Sequence, residues 1–188
     1  MLGRVVSFVC LLCLGGWCGG ASAQAVVHAL TGTVNSIDPA AKTITMFLDG
    51  GKQGTFKDMT NSKVSISVDK KILANTTTPD DFKKQGAYVV VFYFGGAEDR
   101  SVVALRSLGA GPFTATTGTI TKFEAHRSVT VQDSSGAIQT FALTADTIAE
   151  SGAGAVSALK FQADKGDHVR VVGTSKDGNP TALFVSAN

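Results

Sequence analysis

The chain repeats itself, and the repeat limits its fold more than any other feature does. Thr31-Gly32-Thr33-Val34 returns as Thr117-Gly118-Thr119-Ile120. Lys42-Thr43-Ile44-Thr45-Met46 returns as Arg127-Ser128-Val129-Thr130-Val131, and Thr55-Phe56 as Thr140-Phe141. Turn-forming residues interrupt both copies at the same place, Asp49-Gly50-Gly51 in the first and Asp133-Ser134-Ser135-Gly136 in the second. Through this stretch the copies run 85 or 86 residues apart. Further on, Gly86-Ala87-Tyr88-Val89-Val90-Val91 aligns with Gly166-Asp167-His168-Val169-Arg170-Val171 at a spacing of 80, so the second copy has the shorter preceding loop. Residues 101–107 and 181–186 close the copies with one more strand each. Matches in this order argue for duplication: whatever one copy can form, the chain forms twice.

Within a copy, short runs alternate apolar and polar residues, the period of a strand with one face buried. Gly, Thr, Ser and Val are abundant and aromatics make up only 7% of the chain, which suits short strands joined by turns. Residues 78–86 carry the end signals of a short helix. Thr78 can cap, Pro79 suits the first position, Asp80 and Asp81 favour the positive end, Lys83 and Lys84 the negative end, and Gly86 follows. Residues 157–165 are the second copy's equivalent. Each copy then reads as three strands, a short helix and two strands, the order of an OB-type barrel. The predicted fold class is all-β, with two tandem small OB-like β-barrels of five to six strands each and one short helix before strand four. The first barrel covers residues 24–109, a linker 110–116, and the second barrel 117–188. Lys63-Val64-Ser65-Ile66-Ser67-Val68 adds a strand-like stretch to the first copy.

The G-T-V/I opening, the I-T-M or V-T-V strand and Gly166-Asp167-His168-Val169-Arg170-Val171-Val172-Gly173 resemble a family of exported bacterial domains of unknown function. Those domains are small, β-rich, OB-like and often tandem, and the likeness covers most of residues 30–188. The first copy departs from the pattern, with Ala87 for Asp and Phe92 for Val172. The resemblance implies location and fold; the family has no agreed activity.

Export is also readable at the start of the chain. Arg4 precedes the apolar run of residues 5–14, and small residues follow, ending in Ala21-Ser22-Ala23 before Gln24. A positive start, an apolar core and an A-x-A end make a signal peptide, 1–23, cleaved after Ala23. As a helix the apolar run would be about 15 Å long at roughly 1.5 Å per residue. A bilayer core is about 30 Å thick, so no membrane span is expected after cleavage; the alternative is an uncleaved anchor. Cys10, Cys13 and Cys18 all lie in this segment, and Trp17 before Cys18 argues against a lipid anchor. The remaining chain has no cysteine, which excludes disulfides and thiolate chemistry from it. With 17 basic residues in the whole sequence, 16 once Arg4 is removed, against 15 acidic ones and no basic run, it lacks the concentrated positive face that nucleic acid requires. The expected location is periplasmic or extracellular.

No catalytic or metal-binding constellation emerges. His28, His126 and His168 are isolated from one another and from any ligand motif, and His126 and His168 read as solvated. No G-x-S-x-G, H-E-x-x-H or phosphate loop is present. Gly152-Ala153-Gly154 reads as a flexible loop, and Asp49 and Asp177 as turn formers. The expectation is a non-enzymatic protein without cofactor or metal.

One stretch exceeds this plain reading. Strand four of the second copy alternates, with Val169 and Val171 apolar and His168 and Arg170 polar. Its first-copy counterpart, Tyr88-Val89-Val90-Val91-Phe92-Tyr93-Phe94, is apolar on both faces. With Val89 and Val91 inside the barrel, Tyr88, Val90, Phe92 and Phe94 point outward, a row too large to leave in water. Three covers are possible: the second domain, a protein partner or second copy, or a ligand such as a neutral oligosaccharide stacked on the aromatics. The function expected is an exported non-catalytic binding or scaffolding module. The alternatives are a carbohydrate- or small-ligand-binding protein using this face and, third, a hydrolase without a recognisable motif.

Overall fold

The computed structural model describes residues 24–58, 64–176 and 178–187. The segment read as a signal peptide lies outside the described residues, as do Lys63 and Asp177. The first copy supplies β1 (Ala25–Val26), β2 (His28–Asp38), β3 (Thr43–Leu48), β4 (Gln53–Asp58), β5 (Ile66–Ser67), β6 (Tyr88–Phe94) and β7 (Arg100–Ser107). The second supplies β8 (Thr114–Glu124), β9 (Ser128–Asp133), β10 (Ile138–Ala142), β11 (Ile148–Ser151), β12 (Gly154–Ser157), β13 (His168–Lys176) and β14 (Asn179–Ala187). β8 begins three residues inside the segment read as linker. No described helix is long and apolar enough to cross a membrane.

Each copy closes into a five-stranded barrel. In the first the order is β2-β3-β4-β7-β6, back to β2, with β4 and β7 parallel. In the second it is β8-β9-β10-β14-β13, closed by the parallel bridge Ala142↔Thr181. Numbered within each barrel, both orders are 1-2-3-5-4, the OB-like connectivity. The protein is thus all-β, two tandem small barrels.

The duplication extends to the irregularities. Asn35 and Thr121 are the extra residues of bulges at equivalent points of β2 and β8. Val103 and Leu183 play that part in β7 and β14. Bulges bend a strand and add twist, which closing a small barrel demands. The two T-G-T motifs have one cause. A Cβ on Gly32 would lie 2.4 Å from the Phe47 carbonyl oxygen, and one on Gly118 would lie 2.1 Å from that of Gln132. Only glycine lets the neighbouring strand come that close.

Inward residues follow the period-2 pattern. The first barrel is filled by Val34, Ile44, Met46, Phe56, Val89, Val91, Val102 and Leu105, the second by Ile120, Val129, Val131, Phe141, Val169, Val171 and Val185.

The helix expected before strand four is absent in both copies. Residues 78–82 make one capped turn: the Thr78 carbonyl accepts from the Phe82 N–H at 3.1 Å and its hydroxyl from the Asp81 N–H at 3.4 Å. The chain then leaves the helical path, because Phe82 is buried as a plug in the barrel core. Beyond it, the Gly86 N–H donates to the Val34 carbonyl and the Val34 N–H to the Ala87 carbonyl. In the second copy Ser157 ends β12, a turn follows, and Phe161 is the plug, with Gly166 and Asp167 bonded likewise to Ile120. The end signals are real, but so short a helix does not recover its nucleation cost, whereas a buried phenylalanine and two backbone bonds do stabilise.

The copies differ between strands three and four. In the second, β11 adds to β14 in parallel and β12 pairs with β11. Gly152-Ala153 is the tight turn of this hairpin rather than a flexible loop. In the first, the extra strand-like stretch contributes only β5, parallel to β1.

Candidate functional site

The outward row of β6 is divided by the structure. Val90 and Phe92 are 0% exposed. They belong to a third core cluster that includes Val27, Ala29, Ile72 and Ala104 from the first half and Ile148, Ala155, Val172 and Phe184 from the second. The cover is therefore the second barrel. Neither a partner protein, a second copy nor an oligosaccharide reaches Val90 or Phe92 in this arrangement. Tyr88 packs at the edge of the same cluster, its ring 5.0 Å from that of Phe113 in the connecting segment. Phe94 is partly exposed and lies outside the cluster.

The barrels meet through equivalent strands. Phe92 of β6 pairs with Ala104 of β7; at the matching place, Val172 of β13 pairs with Phe184 of β14. Each barrel brings one phenylalanine and one smaller residue, in opposite order, so a bulky side chain from each side enters the shared core.

Polar pairs ring this core. Asp49 accepts from the Thr31 hydroxyl, the Tyr88 hydroxyl and, across the seam, from Arg170 at 2.9 Å. Burial, then the Asp49 carboxylate beside it, pushes the Tyr88 phenol up to about 12, so it remains a donor. Lys160 reaches Asp69 at 3.0 Å. Burial raises the Asp69 carboxyl, but the Lys160 and Lys71 contacts outweigh it and hold it below the usual range. Residues 25–27 are stitched on both sides, by β5 and by the Ala155 N–H, which donates to the Val27 carbonyl at 2.8 Å. Gly154 makes room for them: a Cβ there would lie 2.5 Å from Val26.

Beside this rim opens a crevice of about 310 Å³, lined among others by His28, Leu30, Tyr93, Glu150, Ser151 and Ser186. Its walls come from both barrels. His28 Nδ1 donates to Glu150 Oε1 at 2.8 Å, and the Ala29 N–H donates to Oε2 at 2.7 Å. An ionised carboxylate can only accept, so with Glu150 charged the proton of this contact sits on Nδ1. The Glu150 side chain is 12% exposed, and its burial raises the carboxyl even though both donors pull it down. The His28 and Tyr93 ring centroids are 5.9 Å apart. Behind Tyr93, the Arg100 guanidinium lies 5.4 Å from its ring centroid and 5.5 Å from that of Phe56. Burial pushes the Tyr93 phenol up, with the Arg100 charge acting against it.

Sequence reasoning missed this cluster. His28 looked isolated because its partner is 122 residues away. Arg170 looked solvated because it alternates with valines, and Asp49 looked like a turn former because it is one. His168 is exposed, as its strand position implies. Among the described residues no group of three or more His, Asp or Glu side chains is placed to hold a metal ion. No protein-family model matches the chain, and no curated protein matches it either.

Proposed function

We propose that the chain is an exported, non-catalytic binding or scaffolding module of the bacterial cell envelope or extracellular space. The shared core carries this reading. The apolar row that would otherwise need a partner is consumed in joining the barrels, and the product is one two-barrel body with solvated outer sheet faces. The open faces of β3 and β9 present Thr45, Phe47 and Thr130, side chains able to contact a partner. The export-type start of the sequence and its resemblance to exported tandem domains support the location.

The full-length chain fused to a periplasm-dependent reporter tests export; a silent reporter argues against it. The non-catalytic reading is tested with ester, glycoside and peptide substrates. Turnover well above background that resists further purification would overturn it.

A further inference from the structure

The two barrels provide an internal control for which residues the fold requires. At the mouth of the first barrel stand His28, Tyr93 and Arg100. The equivalent places in the second hold Thr114, Gly173 and Pro180, and that barrel closes with the same strand order, bulges and plug. Barrel closure therefore demands none of the three polar groups. They gather at one end of one barrel, and the second barrel adds Glu150, Ser151 and Ser186 to complete the crevice.

We propose that this crevice is a ligand seat for one ring of an uncharged saccharide, a reading that rests on the protein being a binding module. The available groups match hydroxyl chemistry. Nε2 of His28 has no partner among the described residues, on a side chain 32% exposed, and in the neutral imidazole it is an acceptor oriented by the contact at Nδ1. The Ser151 hydroxyl oxygen accepts from the Ala153 N–H, which leaves its hydrogen to donate outward. Ser186 adds a second hydroxyl, and Tyr93 keeps its proton and lines the wall with Leu30 and Ala187. Mixed donors and acceptors beside an aromatic and aliphatic wall suit a sugar ring. An anion is disfavoured by Glu150 in the wall. A cation finds both carboxylate oxygens of Glu150 already engaged by Nδ1–H and the Ala29 N–H. Arg100 acts as a positioning residue: its guanidinium backs the Tyr93 ring and makes no ion pair among the described residues. The volume stands near the lower end of the roughly 300–1,000 Å³ typical of ligand sites, room for one ring of a longer chain.

The test is calorimetric titration of the full mature chain with cellohexaose, chitohexaose and maltohexaose. At least one should bind. His28→Asn keeps an amide donor near Nδ1 but removes the acceptor at Nε2, and should weaken binding at least tenfold. His28→Gln, whose amide reaches the ε position, should recover part of it. Ser151→Ala and Tyr93→Phe should each cost several-fold and report on the crevice even if His28→Asn disturbs the seam. Ile138→Ser, on the exposed side of β10 and away from the crevice, should leave binding unchanged. Binding lost in Phe47→Ser but kept in the crevice variants would overturn the seat while leaving the binding-module reading intact. No titratable heat from any of the three at millimolar concentration would overturn the saccharide assignment. Cleavage of the saccharide would instead count against the non-catalytic reading.

Discussion

Strands β6 and β13 occupy equivalent places in the two barrels and share an inward face, Val89 and Val91 matching Val169 and Val171. Their outward faces differ. β6 offers Tyr88, Val90, Phe92 and Phe94, where β13 offers His168, Arg170, Val172 and Thr174. Only Phe92 and Val172 do the same job, both buried in the shared core. Val90 enters that core, while its counterpart Arg170 crosses the seam to Asp49. Duplication thus preserved what closes a barrel and freed the outside to become two different halves of one joint.

The comparison breaks most severely at its apolar centre. Phe92→Ala should cost about 3–5 kcal/mol, the usual range for emptying a buried phenylalanine site. Phe184→Ala, its opposite number, should cost a similar amount. Urea unfolding of each variant measures both, and a loss below 1 kcal/mol in either would mean that the barrels do not share a core.

Next comes the polar end of the joint. Asp49→Ala strands Arg170 and leaves the Tyr88 and Thr31 hydroxyls without their acceptor, an expected loss of about 2–3 kcal/mol. Arg170→Ala removes one donor only and should cost less. Equal effects in chemical denaturation would show that the seam pair alone accounts for the role of Asp49.

Smaller effects appear in the pH dependence. The Tyr88 phenol is raised to about 12 from an ordinary 10.0, so its stabilisation is complete below pH 10 and lost as pH climbs toward 12. Tyr88→Phe should flatten that alkaline limb in thermal melts. Asp69 is shifted the other way: its contribution is present above its ordinary 3.8 and lost as pH falls through the lowered value. Asp69→Asn should therefore reduce the acid sensitivity. Smallest of all, Phe47→Ser changes an outward side chain 54% exposed and should alter stability by no more than about 0.5 kcal/mol.

Much of the fold was legible because its causes are local. The T-G-T glycines, the alternating valines and the turn residues act over a few positions, and their repetition marked two domains. The helix misreading shows the limit of such signals. Thr78, Pro79 and Asp81 specify how a turn starts, but how far it runs depends on whether Phe82 finds the barrel core. The crevice was less legible still. His28 and Glu150 belong to different copies, and nothing near either residue names the other. The visible hint was indirect, a strand apolar on both faces, which called for a cover without saying which.

The sequence by itself determined that the chain is two barrels, since side-chain period and glycine positions encode strand faces and close approaches locally. Only the tertiary structure decided that the second barrel covers Val90 and Phe92, that Arg170 meets Asp49, and that His28 and Glu150 share a crevice. Those contacts join residues on separate barrels, and their free energy depends on the fit of two finished surfaces, which no short stretch of sequence contains.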